Sequence, residues 1–420
     1  MSYGIVSHGS CVGRYIHKVN TGYLGVTQQR IAHPYEDTTV MGFFAGKEAI
    51  EKAGIDKRLI RAVYLGTENP VYKVKPTSMI ITELLGLSSN IEAADLEFAC
   101  AAGLKALKTA CREVSHPDFN GKYALVVMAD CAPIEKSNDF YNLVGHGAAA
   151  FIVGPNPEAE IITGGVNSSS LNKNDFYLMH DKPAYPVCHG RISIQQYKQR
   201  VFDSINEFLN RTAFSYDYVI GHTPFPRIID WITINERDHL RNNPFSHLSA
   251  DDISRIFKHN IITARIGNTF SANVGLNLCN FLDNAEQGES TLVYSYGSGS
   301  TAITLGVKVI NANHKNKLID KLKFDERFVI NDKTYDDWMN LRINEETKFD
   351  DDEALRFIES NNGGIIIKPD FLEATLLKFN GDKSIVLSNS GEEAAEVIGC
   401  SSLKPNMRLE YFPRRLKLTK

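Results

Sequence analysis

The 420-residue chain has no surplus of positive charge: 46 Lys and Arg stand against 50 Asp and Glu, a formal net charge of −4. Proteins that track a nucleic-acid backbone carry a basic excess, so no nucleic-acid partner is expected. No stretch approaches the roughly 18 to 20 consecutive apolar residues of a membrane helix, so no membrane partner is expected either. The opening MSYGIVSHGSCVGRY lacks the basic-then-apolar layout of a signal peptide, which makes the cytoplasm the expected compartment. Cysteine is sparse and scattered, at positions 11, 100, 111, 131, 188, 279 and 400, with no CxxC pair and no zinc spacing. Structural disulfides and a metal site are therefore not expected, and a cysteine is left available as a nucleophile.

What is present is an ordinary globular mix, 43% hydrophobic and 23% charged, enough to bury a large core. Short apolar runs recur between helix-like stretches: AVYLG at 62–66, ALVVMA at 124–129, AFIVG at 150–154, YVIG at 218–221 and LVYSY at 292–296. Such runs read as strands buried on both faces, the mark of an α/β protein. The texture changes at 311–360, where 22 of 50 residues are charged, and this segment reads as a peripheral, partly helical appendage. Beyond it GGIIIKP, FLEATLLKF, an Asn380-Gly381 turn and KSIVLSN suggest a small β-rich extension. The expected division is residues 1–165, 166–310 and a charged C-terminal extension of α+β character at 311–420.

The first two segments echo one another. MGFFAGKEAIEKAG leads into AVYLG and then Thr67-Glu68-Asn69-Pro70; QQYKQRVFDSINEFLN leads into YVIG and then His222-Thr223-Pro224-Phe225. DLEFACAAGLKALKTACREV reads as a strand ending at Cys100 and opening a helix, and ARIGNTFSANVGLNLCNFLDN repeats the plan with Asn268 near its turn. The next strand starts at the same distance from each, Ala124 after Cys100 and Leu292 after Asn268. Each half then closes with a Gly-rich turn and an Ala-containing apolar strand, GHGAAAFIVG and GSGSTAITLGV. One β/α unit used twice explains the matched order.

Ligands of α/β sheets bind at the carboxyl ends of strands, so a duplicated unit brings the strand-end residues of both halves to one crevice. Glu68 and His222 share the post-strand position, and Cys100 and Asn268 roughly do. Cys100 precedes Ala101, Ala102 and Gly103, small enough for a substrate to approach the backbone. A helix N-terminus there is expected to lower the thiol pKa and to aim N–H groups at a developing oxyanion.

DLEFACAAG, GTENPVYKVKPTS, YPVCHGRIS, GHTPFPR, IGNTFSANVGL and YGSGS together resemble 3-hydroxy-3-methylglutaryl-CoA (HMG-CoA) synthase, of the thiolase superfamily, over about residues 3–310. GIVSHGSCVGRY resembles its archaeal branch. The resemblance implies a five-layer αβαβα thiolase fold of two pseudo-repeats and a homodimer. It implies that Cys100 is acetylated by acetyl-CoA, that Glu68 is the general acid/base and that His222 orients acetoacetyl-CoA. Asn268 would then bind an acyl or water oxygen, and the Gly297-Ser298-Gly299 turn would give a second oxyanion N–H. Coenzyme A thioesters are substrates, and no cofactor is implied.

Two alternatives share this residue set: the same condensation on groups bound to an acyl carrier protein, as in polyketide β-branching, and decarboxylative condensation of the ketoacyl synthase III kind. The sequence also departs from the family pattern. His146 stands where related enzymes carry Ala, Gly or Asp and reads as a packing substitution. His189 replaces an acid of YP-x-x-DG, and Tyr141 is a candidate for the tyrosine that contacts substrate. In the C-terminal MRLEYFPRRLKLTK, Arg408, Arg414, Arg415, Lys417 and Lys420 face only Glu410, a charge set suited to CoA phosphates or an acidic carrier protein.

Overall fold

The computed structural model describes residues 2–19, 23–34, 36–179, 182, 184–233, 242–312, 317–324 and 328–344, and five later segments as backbone strands. The chain opens with β1 (Tyr3–Val12), β2 (Tyr15–Lys18) and β3 (Gln28–Ile31). It then runs α1 (Thr38–Ala53), β4 (Ile60–Gly66), α2 (Thr77–Leu84), β5 (Glu92–Leu96), α3 (Ala102–Val114), β6 (Tyr123–Asp130) and β7 (Gly147–Pro155). Four short strands follow: β8 (Ala159–Ile162), β9 (Ser169–Ser170), β10 (Phe176–Tyr177) and β11 (Val187–Cys188). Then come α4 (Gly190–Thr212), β12 (Tyr218–Gly221), α5 (Ile228–Thr233), α6 (Ala250–Ile256), α7 (Ile262–Ile266), α8 (Asn273–Leu282), β13 (Ser290–Gly297) and β14 (Thr301–Val309).

Ten strands join one mixed sheet in the order β12-β13-β14-β8-β1-β7-β6-β4-β5, with β9 on β14 beside that path. The echo seen in the sequence is a pairing pattern here. In the first half β4 runs parallel to β6, which pairs antiparallel with β7; in the second β12 runs parallel to β13, which pairs antiparallel with β14. β7 and β13 are buried along their whole length, as expected of nearly all-apolar runs.

The helices cover this sheet. α1 lies on β1, β7 and β6; Asp37 caps it by accepting from the N–H groups of Thr39 and Val40, and Gly54 closes it in the left-handed region. α3 packs on β4, β6 and β7 and also reaches β13, β14 and α8. All ten residues of α8 are buried, and the helix packs on β7, β12 and β13. α4 covers β14 and β13. The close approach of α3 to the segment before α8 requires glycine at 103, where a Cβ would lie 2.4 Å from the Ser271 carbonyl oxygen.

The peripheral placement expected from residue 311 onward does not hold for 317–344. α9 (Leu318–Phe324) buries Leu318 and Leu322 in the main core, and Arg30 donates to the Leu322 carbonyl at 2.6 Å. β15 (Val329–Ile330) joins β2, and α10 (Asp332–Asn344) buries Tyr335 and Met339 in the same apolar cluster as Cys100. The Arg342 guanidinium of α10 ties down the 32–36 loop by donating to the carbonyls of Ala32 and Glu36. The abundance of charge concealed two short apolar stripes at i, i+4 spacing, 318 with 322 and 335 with 339.

A second sheet has the order β18-β17-β16-β19-β20, from β16 (Glu373–Asn380), β17 (Lys383–Ser388), β18 (Ala394–Ile398), β19 (Arg408–Phe412) and β20 (Arg415–Thr419). Asn380 pairs with Lys383, so it closes β16 rather than occupying the turn. GGIIIKP at 363–369 and the side chains of Arg408, Arg414, Arg415, Lys417 and Lys420 lie outside the described residues.

Candidate active site

Strand ends from both halves meet around Cys100. β5 stops at Leu96, four residues short of the cysteine, which corrects the strand expected to end there. The chain then turns through Ala99 at φ 42°, a conformation costly for a residue with a Cβ, and a bridge pairs Phe98 with Cys100. The N–H groups of Ala101 and Ala102 are engaged by the carbonyls of Phe98 and Ala99, at 3.0 Å each. Cys100's own N–H touches its own thiol.

Glu68 follows β4 on a turn held by one acid. Asp130, buried at the end of β6, accepts at Oδ1 from the Thr67 hydroxyl (2.7 Å) and from the N–H groups of Glu68 (2.8 Å) and Asn69 (2.9 Å). Its Oδ2 accepts from the N–H of Ser271 at 2.8 Å and from the Ser271 hydroxyl. The same hydroxyl oxygen lies 2.9 Å from the Gly66 carbonyl oxygen. Asp130 was not anticipated from the sequence, although an acid closing an all-apolar strand at its carboxyl end is a signal for it.

The Glu68 side chain is hydrogen-bonded to the Cys100 thiol, and its Oε1 is buried with no partner among the described residues. Burial drives the Glu68 carboxyl upward, the Asp130 charge adds to the shift, and the Cys100 contact opposes it. The Cys100 thiol is also pushed up, first by burial and then by the Glu68 charge. This overturns the expected depression. The end of a dipole contributes a fraction of a charge, whereas a dry site beside a full carboxylate disfavours the thiolate outright.

His222 follows β12 directly, whereas Thr67 separates Glu68 from β4, so the echo is one residue out of step here. His222 N–H donates to the Tyr294 carbonyl at 2.9 Å, and its own carbonyl accepts from the Tyr197 hydroxyl at 2.5 Å. The next residue on β13, Ser295, donates its hydroxyl to the Cys100 carbonyl at 2.9 Å, so β13 links the two positions. Burial lowers the His222 pKa to about 3, with the Asn273 side chain opposing, and leaves a neutral ring whose Nδ1 is buried and unpartnered among the described residues.

Asn268 is anchored by its N–H to the Leu143 carbonyl at 2.6 Å, and its Oδ1 accepts from the Phe270 N–H at 3.0 Å. That bond shapes the turn around Phe270, at φ 49°, and engages Oδ1. Phe270 and Tyr141 pack in the cluster that holds Cys100. In the 297–299 turn, a Cβ on Gly297 would lie 2.4 Å from the Phe98 carbonyl oxygen, and the Gly299 N–H is engaged by Asp175. Gly297 therefore abuts the nucleophile loop, with Ser298 next to it in the chain.

The remaining sequence candidates have structural occupations. His146 is fully buried; Nδ1 accepts from the Ala32 N–H and Nε2 donates to the Ala132 carbonyl, each at 3.1 Å, which makes it the packing residue expected. The Tyr141 hydroxyl donates to Asp336 of α10 at 2.5 Å. His189 is exposed, and its N–H donates to the Asp175 carbonyl at the start of α4. Among the described residues no group of three or more His, Cys, Asp or Glu is arranged to hold a metal ion, and no helix is long and apolar enough to cross a membrane.

Solved structures that share this fold include HMG synthases. MvaS in complex with 3-hydroxy-3-methylglutaryl coenzyme A superposes with a TM-score of 0.71 at 19% identity, covering 83% of this chain and 94% of that one. The HMG synthase of the curacin biosynthetic pathway, in complex with acetyl donor-ACP, superposes with a TM-score of 0.73 at 18% identity over 100% of both chains. At those identities the likeness defines a class of fold, the mixed α/β fold of the HMG synthases. Sequence narrows it. Residues 13–158 match the family described as hydroxymethylglutaryl-coenzyme A synthase N terminal. The hydroxymethylglutaryl-CoA synthase of Archaeoglobus fulgidus is 30% identical over 327 residues, which cover 74% of this chain and 90% of that protein. That of Methanocaldococcus jannaschii is 31% identical over 337 residues, 76% of this chain and 91% of the relative. The chain belongs to the hydroxymethylglutaryl-CoA synthase family, and is an acyl-transferring condensing enzyme.

Proposed function

We propose that the protein condenses acetyl-CoA with an acetoacetyl thioester to give an HMG thioester and free CoA. The observation that carries this reading is the contact between the Glu68 carboxylate and the Cys100 thiol, in a dry site at the junction of the two halves. Glu68 takes the thiol proton as sulfur attacks the acetyl carbonyl, CoA thiolate leaves and is protonated, and acetyl-Cys100 remains. The carbonyl oxygen gains N–H donors from Cys100 and the Ser298 turn. Glu68, deprotonated again, removes a methyl proton from the acetyl group, and the carbanion attacks the C3 ketone of the acceptor. Protonated Glu68 returns a proton to the new alkoxide, with His222 and the Asn268 Nδ2 orienting the acceptor. Water then cleaves the Cys100 thioester. The sequence of steps draws on no cofactor.

The wholly buried α8 and the reach of α3 to both halves support the five-layer αβαβα thiolase arrangement. Homodimerisation is supported by β5, which ends the sheet path with no further strand on its edge among the described residues and is flanked by α2, which carries exposed Met79. All six cysteines among the described residues are free, which suits a reducing compartment such as the cytoplasm. One observation favours carrier-bound acyl groups as a second reading: the curacin pathway enzyme, solved with an acetyl donor-ACP, aligns over 100% of this chain.

The test is to incubate the protein with acetyl-CoA and either acetoacetyl-CoA or an acetoacetylated carrier protein, and to weigh the product. An HMG thioester with one acceptor and not the other identifies the substrate; no HMG product with either sinks the reading. Intact mass should show one acetyl group, absent in Cys100→Ala.

A further inference from the structure

We propose that His17 is a pH-sensitive clamp: held as an imidazolium between Gln29 and Asp332, it seats α10 against the cluster that contains Cys100, and loss of its proton loosens the helix. His17 is buried on β2. Its Nδ1 lies 2.8 Å from Gln29 Oε1, and its Nε2 lies 2.9 Å from Asp332 Oδ1 at the start of α10. The surroundings of the Gln29 amide nitrogen fix which way that amide points. Nε2 donates to the carbonyls of Tyr141 at 2.8 Å and Val144 at 2.7 Å, contacts that only an NH₂ group can satisfy. Oε1 therefore faces His17 and can only accept, so Nδ1 carries a proton. The Asp332 carboxylate also only accepts, so Nε2 carries one too. A neutral imidazole has a single donor nitrogen and cannot make both bonds.

The surroundings suit a cation. The Tyr335 ring stacks on His17 with centroids 4.1 Å and planes 20° apart, and its hydroxyl is engaged by the Tyr141 carbonyl. Two carboxylates of α10 face this region, Asp332 and Asp336. Asp336 pairs with Lys136 and accepts from the Tyr141 hydroxyl at 2.5 Å. With His17 charged, two cations match two carboxylates; without its proton one cation faces two, and the Nε2 lone pair meets an Asp332 oxygen. Lys333 and Asp337 of α10 are exposed, and β15 brings no titratable group. Strand alternation turns Lys18 and Arg30 to the opposite face of β2 and β3, where Arg30 donates to the Leu322 carbonyl. What the clamp seats reaches the site: Tyr335 and Met339 pack in the cluster of Cys100 and Phe270, Asp336 holds Tyr141, and Arg342 holds the 32–36 loop. The clamp goes beyond the proposed condensation and does not depend on it.

The experiment compares full-length protein, labelled with nitrogen-15 histidine, with Asp332→Asn from pH 6 to pH 10. The Asp332 side chain is 74% exposed, so the substitution leaves the core alone. Asparagine can accept from a protonated Nε2 or donate to a bare one, which removes the demand for charge. Three quantities are read: the protons on the two His17 nitrogens, assigned with His17→Gln; hydrogen exchange of the α10 amides, corrected for the intrinsic effect of pH, with α1 as reference; and the rate of Cys100 alkylation by iodoacetamide. In wild type at pH 6 both ring nitrogens should carry protons. As one is lost, α10 protection should fall by roughly threefold to tenfold, between the scales of a surface ion pair and a buried charged hydrogen bond, while α1 stays constant. Asp332→Asn should keep α10 protected across the range. At pH 10, Cys100 should react faster in wild type than in Asp332→Asn, because its wall is looser. The proposal is overturned by a ring with one protonated nitrogen while α10 is protected in wild type, or by α10 protection that stays constant or moves without the ring proton. Loss of protection in Asp332→Asn as in wild type, or equal alkylation rates at pH 10, would overturn it as well.

Discussion

The Asp130 carboxylate holds the peptide of Glu68, its Oδ1 accepting the Glu68 N–H at 2.8 Å while its Oδ2 takes the Ser271 N–H at the same distance. One buried acid thereby sets the base and the segment after Asn268 in a common frame. Asp130→Asn would turn an amide NH₂ toward at least one of these donor groups and leave buried N–H bonds unmade. Each costs about 1–3 kcal/mol, so urea unfolding should show a loss of about 2–4 kcal/mol. Acetylation should fall by about the same factor as condensation, whereas Glu68 variants should lose condensation far more than acetylation.

The Cys100 thiol lies above its ordinary pKa partly because of the charge beside it. Alkylation by iodoacetamide should therefore rise through an inflection above the usual thiol range. Glu68→Gln removes that charge, so the inflection should move to lower pH and alkylation near pH 8 should become faster. An unchanged profile would separate the two side chains.

The same substitution changes stability with a definite sign. The folded state raises the Glu68 pKa above its usual 4.5, so the carboxyl supports the fold fully below that value and loses this contribution as pH rises through the raised one. Glu68→Gln should accordingly melt near wild type at about pH 5 and above wild type at about pH 9. The stabilised variant would be catalytically poor, the usual trade at a dry active site.

His222 is neutral throughout the physiological range, so it orients by hydrogen bonding rather than by charge. His222→Ala should still acetylate at Cys100 while its apparent affinity for the acetoacetyl thioester falls about tenfold or more. Burial also lowers His146, and His259 to about 4. Unfolded chains protonate these rings below about pH 6.5 and the fold does not, so each adds up to about 1.4 kcal/mol of destabilisation per pH unit of acidification. Stability should drop steeply between about pH 6 and pH 4, as read by the midpoint of urea unfolding.

The strands legible in the sequence were those whose apolar runs have no competing explanation, and YVIG at 218–221 coincides with β12. The duplication exposed Glu68, Cys100, His222 and Asn268 because strand-end positions repeat even when residues differ. It did not expose Asp130 or Asp175, since each acts on backbone N–H groups brought near only by the fold. The direction of the Cys100 shift was misjudged for a related reason: a helix start is visible in sequence, whereas the carboxylate that approaches the thiol from 32 residues upstream is not. α10 was misread because Tyr335 and Met339 are diluted among charges, yet those two side chains decide where the helix docks.

The central claim is that Glu68 acts as the base for carbon–carbon bond formation at acetyl-Cys100, and one measurement isolates that step. Glu68→Ala is mixed with acetyl-CoA in deuterated water, and the mass of the acetylated active-site peptide is followed with and without acetoacetyl thioester. The account predicts that acetyl-Cys100 forms more slowly than in wild type yet accumulates with an undeuterated methyl group, and that condensation falls by roughly a hundredfold or more, the scale of a positioned general base. Methyl deuteration at the wild-type rate, or condensation with a malonyl thioester left nearly intact, would contradict it and favour decarboxylative chemistry.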